Sequence, residues 1–215
     1  MGKTAWIVTG GALSPEFLTN ELKLCETDCL IVVDGALEVT HTLRLFPDYI
    51  VGDFDTVNQA LLEYYEKDKI LRHNPEKDQT DTELAVETAL SLGYRQLRLF
   101  GAVGSRMDHS LANIFLLEKI KKQQADAVIY NENNKLYLKE RSFFIKKEAQ
   151  YGKYVSLLPL TECVKNVTLS GFKYSLSHQT FFRDTTLGIS NEITEEEAAV
   201  SFSDGVFIVV ESKDK

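Results

Sequence analysis

Two acidic clusters carry the clearest chemistry in this sequence: Val51-Gly52-Asp53-Phe54-Asp55-Thr56 and, a short distance on, Asp78-Gln79-Thr80-Asp81. Asp53 and Asp55 follow the apolar run Tyr49-Ile50-Val51, which reads as the end of a buried strand, with Gly52 letting the chain turn outward. Side chains two apart in extended backbone share a face, so both carboxylates are expected to address one point. Asp78 and Asp81, three apart at the start of a helical pattern, are expected to share a helix face. Converging carboxylates repel one another unless a hard cation or bound protons lie between them. Mg²⁺ is the expected ion, because it keeps several waters and takes a few carboxylates together with substrate phosphates. One such aspartate by itself reads as a turn former or helix cap. Two pairs at element ends favour a site, with Asp53, Asp55, Asp78 and Asp81 as its catalytic candidates.

The elements that must position these groups alternate. Apolar runs at 5–9, 29–33, 49–51, 69–72, 95–100 and 127–130 read as strands, the second of them β-branched and continuous enough to be buried on both faces. Between them lie helix signals: Ser14-Pro15 as N-cap and first helical residue, a helix-compatible stretch from Ala36 to Phe46 closed by Pro47, and Asn58 as a further cap. Thr80 and Glu83 have capping-box spacing before an apolar stripe that ends at Gly93, which puts the second acidic cluster at a helix N-terminus. A last helix follows His109, with Leu111, Ile114, Phe115 and Ile120 as its core side and Lys119, Lys121 and Lys122 as its solvated face. Strand-helix alternation of this kind predicts an α/β domain with a mostly parallel sheet and helices on both faces.

At Asn131-Glu132-Asn133-Asn134 the texture changes, and the domain boundary is placed there, giving 1–130 and 131–215. Short runs at 136–139, 142–145, 154–158, 164–169, 172–176 and 206–210 read as an antiparallel, mainly β second domain. Glu195 to Val200 reads as a short helix or, for its acidic run, as a solvated turn or edge.

Gly10-Gly11, Asp34-Gly35, Asp53 and Asp55, Asp78 to Asp81, and Gly101 to His109 all fall just past the carboxyl end of a predicted strand, the rim where open α/β sheets bind ligands. The loop from Gly101 to Arg106 offers backbone amides and a guanidinium to phosphate oxygens. His109 reads equally as a phosphate or base contact and as a surface or capping residue, and His41, His73 and His178 show no ligand spacing. No P-loop run, Ser-His or Cys-His nucleophile context, or protein-kinase signature set stands out.

Composition narrows the classes. A net charge of −8 over 215 residues argues against coating a nucleic acid, while local cations still allow a small anionic substrate. Three cysteines, an odd count, argue against a disulfide framework and for a reducing cytoplasm, with Cys25 and Cys29 read as core or surface thiols. No apolar run is long enough to span a membrane, the first residues lack a secretory pattern, and Trp6 stands where myristoylation would want Ser or Thr.

Taken in order, Asp34-Gly35, Gly52-Asp53-Phe54-Asp55-Thr56, Asp78-Gln79-Thr80-Asp81, Gly101-x-x-Gly-Ser-Arg-x-Asp-His109 and Gly188-Ile189-Ser190-Asn191-Glu192 resemble the thiamine pyrophosphokinases of the bacterial type, over nearly the whole chain. The resemblance implies a Rossmann-like N-terminal domain that binds nucleotide and Mg²⁺, an all-β sandwich domain that contributes to thiamine binding, and a homodimer with thiamine held between subunits. It implies transfer of a pyrophosphoryl group from ATP to the thiamine hydroxyl, giving thiamine diphosphate and AMP. Carried over by position, Asp53, Asp55 and Asp81 hold Mg²⁺. Asp34, Gly35, Gly101, Arg106, Asp108 and His109 serve ATP, and Gln79, Thr80, Ser190 and Asn191 approach thiamine. Some relatives place a tryptophan near the thiamine ring in the second domain, whereas the single tryptophan here is Trp6. Phe181, Phe182 or Tyr174 would offer a stacking face instead, or form β-domain core. Two other classes stay open: a metal-dependent nucleotide phosphohydrolase, and a nucleotide- or vitamin-binding sensor without turnover.

Overall fold

Cys29–Val33 is apolar at each position and buried throughout, the signature of a strand covered on both faces. It is β2 of a computed structural model that describes residues 3–55, 57–72 and 78–214. Gly2, Thr56 of the first acidic motif and His73-Asn74-Pro75 before the second lie outside the described residues. The chain divides into two units, Met1–Glu132 and Asn133–Lys215.

In the first unit, β1 (Thr4–Val8), β2, β3 (Tyr49–Gly52), β4 (Ile70–Arg72), β5 (Gln96–Phe100) and β6 (Asp126–Tyr130) pair in the order β6-β5-β1-β2-β3-β4, every neighbour parallel. Trp6, Val8, Leu30, Val32, Ile50 and Phe100 face one way and form a core cluster with residues from α1 (Pro15–Glu21), α2 (Leu37–Thr42) and α3 (Gln59–Leu62). The alternate residues Ala5, Ile7, Ile31, Val51, Leu97 and Leu99 are fully or almost fully buried on the other face. There α4 (Asp81–Ser91) packs on β1, β2 and β3, and α5 (Met107–Lys122) on β6.

Read from the edge, the strand order is 4-3-2-1-5-6, whereas a Rossmann sheet runs 3-2-1-4-5-6. Pairing over the chain as a whole is also mixed, parallel in the first unit and antiparallel in the second. At the coarser level the expected fold class is present: mixed β pairing with helices, and a β-rich C-terminal part. Because β1 lies between β2 and β5, the connections leaving β1 and β5 diverge to opposite faces and open a crevice at their carboxyl ends.

Three local expectations are also corrected. The stretch read as a helix from 36 to 46 is a 3₁₀ turn, Asp34–Ala36, followed by the short α2, because Arg44 adopts a positive φ of 57°. On α5 the buried face is Ser110, Asn113, Leu116, Leu117 and Ile120, while Leu111 and Phe115 are exposed. Lys119 is not simply solvated but pairs with Glu83 and Glu87 of α4.

The second unit holds two antiparallel sheets. One is ordered β12 (Asn191–Glu192), β9 (Tyr154–Pro159), β14 (Phe207–Ser212), β7 (Asn134–Lys139), and the other β11 (Leu176–Phe182), β10 (Cys163–Ser170), β13 (Glu197–Ser201), β8 (Phe143–Lys146). Residues of both sheets meet in one apolar cluster around Val155, Val164, Phe181, Val200 and Phe207. Phe172 to Leu176 is not a strand; the chain is extended from Leu176 instead. Glu197–Ser201 is a strand rather than part of a short helix, because Ala198 and Val200 alternate into the core, while Glu195 and Glu196 before it form an exposed bend as expected of the acidic run.

Candidate active site

The crevice at the carboxyl ends of the parallel strands is a cavity of about 450 Å³. Thr9, Gly10 and Gly11 after β1, Asp34 and Gly35 after β2, Asp53 after β3, Gln79 to Thr82 at the start of α4, and Gly101, Ala102, Gly104, Ser105, Arg106 and His109 after β5 contribute to its lining. Two glycines permit this crowding. A Cβ on Gly52 would stand 2.6 Å from the Cβ of Asp34, so glycine there lets the Asp34 side chain lie over β3. Gly101 has φ +69°, and a Cβ on it would meet the Thr9 carbonyl oxygen at 2.2 Å.

Asp34, Asp53 and Asp55 each offer a carboxylate oxygen within 4.8 Å of the others. Asp53 and Asp55 do not converge by extended alternation as expected. Phe54 between them adopts φ +62° and buries its ring in the core under the Arg72 guanidinium, 5.1 Å from the ring centre. The Asp55 amide donates to Asp53 Oδ1 at 3.3 Å, so the two carboxylates are gathered by a turn with an apolar anchor. Burial raises the pKa of Asp34 above the usual carboxylate range, and the charges of Asp81 and Asp53 push it further the same way, against the Gly35 and Phe54 amides.

The second acidic pair is split. The Thr80 side chain caps α4 by accepting from the Glu83 amide at 3.2 Å, Asp81 is the first helical residue, and Asp78 is exposed and precedes the helix. Asp81 lines the cavity with Gln79 and Thr80; Asp78 is not among the lining residues. A shared helix face is ruled out because the helix begins after Asp78.

On the opposite wall, Arg106 and Asp108 form a two-pronged ion pair at 2.6 and 3.2 Å, and the guanidinium hydrogen bond holds the Asp108 carboxyl down to about 2. Asp108 also accepts the His109 amide at 2.9 Å at the start of α5. Arg106 and His109 line the cavity, whereas Asp108 supports from outside it. The sequence reading missed the residues that hold this loop. Ser110 Oγ accepts from the Gly104 amide at 3.0 Å and donates to the Arg106 carbonyl at 2.9 Å, and Asn113 Nδ2 donates to the Ala102 carbonyl at 2.7 Å. Small polar residues at i and i+3 on the buried face of a helix, just after a glycine-rich turn, were the available signal. Buried Thr9 and Thr82 are further lining residues not foreseen.

Ser190 and Asn191 belong to the second unit. Ser190 is exposed, has φ +55°, and donates its amide to Ser156 Oγ at 3.0 Å. Asn191 is buried: Oδ1 accepts from the Tyr174 and Glu192 amides at 3.0 Å each, and Nδ2 donates to the Tyr174 carbonyl at 2.8 Å. Among the candidate stacking aromatics, Phe181 is core, whereas Tyr174 and Phe182 are exposed. Trp6 is buried against Phe100 and donates to Asp28, a structural placement.

Two family models cover most of the chain: the thiamin pyrophosphokinase catalytic domain at residues 21–129 and the thiamin pyrophosphokinase vitamin B1 binding domain at 142–207. The thiamine pyrophosphokinase of Bacillus subtilis is 32% identical over 216 residues, covering 99% of this chain and all of that protein. The chain belongs to the thiamin pyrophosphokinase family. Crystal structures agree: that of thiamine pyrophosphokinase from Bacillus subtilis superimposes with a TM-score of 0.86 at 30% identity, covering 99% of this chain and 100% of the other. That of thiamin pyrophosphokinase from Geobacillus thermodenitrificans gives 0.84 at 31%, covering 99% and 98%. Apart from Thr9, Gly10 and Gly11, the residues lining the cavity lie in the part matched by the catalytic-domain model, and Ser190 and Asn191 in the part matched by the vitamin-binding model.

Proposed function

We propose that this chain transfers a pyrophosphoryl group from ATP to the hydroxyl of thiamine, forming thiamine diphosphate and AMP. The observation that carries the reading is the joint lining of one cavity by clustered carboxylates on one wall and by Arg106 and a glycine-rich loop on the other, in a chain of this family. The residues fit Mg²⁺: Asp34, Asp53 and Asp55 offer hard oxygen donors within 4.8 Å of one another, with Asp81 lining the same cavity as a fourth carboxylate. The ion, when bound, would supply charge neutralisation at the triphosphate.

The chain's own residues do the positioning. Arg106 and the backbone amides of the loop from Gly101 hold phosphate oxygens, with Asp108 fixing the guanidinium. The thiamine oxygen attacks the β-phosphorus, the bond between that phosphorus and the bridging oxygen of AMP breaks, and an aspartate of the cluster takes the hydroxyl proton. The first unit serves ATP and metal, and the second contributes to thiamine binding through Ser190. A homodimer with thiamine between subunits follows from the family resemblance. The odd count of three cysteines fits a reducing cytoplasm. No helix among the described residues is long and apolar enough to cross a membrane.

The test is to incubate the protein with ATP and Mg²⁺, with and without thiamine, and to resolve AMP from ADP. AMP formed only with thiamine, in step with thiamine diphosphate, supports the proposal. ADP would make the protein a single-phosphate kinase, thiamine-independent nucleotide loss a hydrolase, and binding without turnover a sensor.

A further inference from the structure

Behind the cavity wall, α4 and α5 are tied by a hydrogen-bonded chain that ends on a lining residue. Lys119 Nζ of α5 donates to Glu83 Oε1 of α4 at 2.6 Å and also to Glu87 Oε1. The same Glu87 oxygen accepts from Gln79 Nε2 at 2.8 Å. Gln79 lines the cavity; Glu87 and Lys119 do not.

The chemistry of the partners fixes the amide. An ionised carboxylate only accepts, so a glutamine beside it must turn its nitrogen toward it. Lys119 keeps Glu87 ionised, holding its carboxyl below the usual range. In a planar amide the oxygen and nitrogen diverge from one carbon, so anchoring the nitrogen at Glu87 turns the oxygen away from Glu87. Without the anchor, the amide could present either face with little energetic preference.

We propose that Glu87 and Lys119 are positioning residues that fix the Gln79 amide with its carbonyl oxygen toward the cavity, so that Gln79 selects a hydrogen-bond donor on the acceptor substrate. On the thiamine reading, which this inference deepens and rests on, the donor is the amino group of the pyrimidine ring. An analogue carrying a carbonyl oxygen in place of that amino group would meet the Gln79 oxygen with a second acceptor, and a site that presents an acceptor rejects one.

The test measures KM for thiamine, KM for ATP, kcat, and the ratio of kcat/KM for thiamine over its 4-oxo analogue, in the unsubstituted protein and in Glu87→Gln, Lys119→Met and Lys119→Arg. In Glu87→Gln, a neutral side chain of the same shape can donate as well as accept, which frees Gln79 to turn. The thiamine KM should rise about five- to tenfold and the preference over the analogue fall about fivefold, the worth of one hydrogen bond, with the ATP KM and kcat within about twofold. Lys119→Met should move the same quantities in the same direction by less, and Lys119→Arg, which keeps the charge, should restore them. Should Glu87→Gln not fold, the two Lys119 variants decide. Equal rises in both KM values, or an unchanged preference over the analogue in a folded Glu87→Gln or Lys119→Met, would mean the bridge only ties two helices and would overturn the inference. An unsubstituted protein with no thiamine-dependent AMP would overturn the proposed function and this inference with it. Full activity together with unaffected variants overturns this inference only.

Discussion

The segments Asp53-Phe54-Asp55 and Gly188-Ile189-Ser190-Asn191 use the same backbone device to opposite ends. Each contains a non-glycine residue in the left-handed region, Phe54 at φ +62° and Ser190 at φ +55°, a conformation that costs on the order of 1 kcal/mol and persists only where its surroundings enforce it. In the acidic segment the strained residue is the apolar one. Its ring is buried in the core, and the flanking carboxylates gather with that of Asp34. In the second segment the strained residue is itself the exposed polar group, pinned through its amide to Ser156, while its neighbour Asn191 spends most of its hydrogen-bonding capacity on the Tyr174 and Glu192 backbone. A polar residue in a functional motif is therefore not thereby a ligand contact: Asn191 is built as a clamp, and Ser190 is what the clamp presents.

Substitutions should separate these roles, and the largest effect belongs to the acidic segment. Asp53→Asn should lower kcat about 10²- to 10³-fold, the scale seen when a charge-stabilising group is lost. Its melting temperature should stay level or rise, since one of three crowded carboxylates is neutralised. Activity within tenfold of the parent would remove Asp53 from the centre.

Asn191→Ala should do the reverse. Losing a buried amide with three hydrogen bonds should destabilise the protein by about 2–4 kcal/mol, or roughly 6–12 °C in melting temperature. Ser190→Ala should leave melting within about 1 °C and raise the thiamine KM more than the ATP KM. Similar melting for the two variants would erase the distinction between clamp and contact.

Gly52→Ala tests the crowding beneath the acidic segment. Its new Cβ would sit 2.6 Å from that of Asp34, and displacing Asp34 should cost about 1–3 kcal/mol along with activity, read by melting and by the thiamine-dependent assay.

The smallest effect is pH-dependent. Lys119 holds the Glu87 carboxyl below its ordinary 4.5. A carboxylate depressed on folding contributes stability that is full above 4.5 and is lost as pH falls through its lower folded value. The side chains are 37–38% exposed, so the contribution is about 0.5 kcal/mol or less. The melting difference between the parent and Glu87→Gln should be small at neutral pH and close on acidification below that range. A gap that widened toward acid would contradict the sign.

Most of the first unit was legible because its signals are local. The buried strand at 29–33, the caps at Ser14, Asn58 and Thr80, and the glycine turns after β1 and β5 each follow from a few neighbouring residues. What was misread depended on distant partners. Leu111 and Phe115 look like the core side of α5, yet the helix turns Ser110 and Asn113 inward because the loop after β5 needs donors and acceptors to hold its backbone. The strand at 197–201 was hidden because its first residue, Glu197, ends an acidic run, and only pairing with β8 and β10 places Ala198 and Val200 in the core. Convergence of Asp53 and Asp55 was foreseen by the wrong route, since the positive φ of a buried phenylalanine has no signature in residue type. That Asp34 lies beside Asp53 and Asp55 was not foreseen either, because it depends on glycine at position 52 of the neighbouring strand.

The most direct measurement is a titration of the protein with Mn²⁺, standing in for Mg²⁺, with the free ion followed by electron paramagnetic resonance in the presence of ATP, for the parent and for Asp53→Asn. The account predicts saturable binding in the parent and a loss of about tenfold or more in affinity in the variant, as expected when a carboxylate is removed from a hard-cation site. Equal binding by both proteins, with the fold intact, would contradict the claim that this carboxylate cluster is the metal centre.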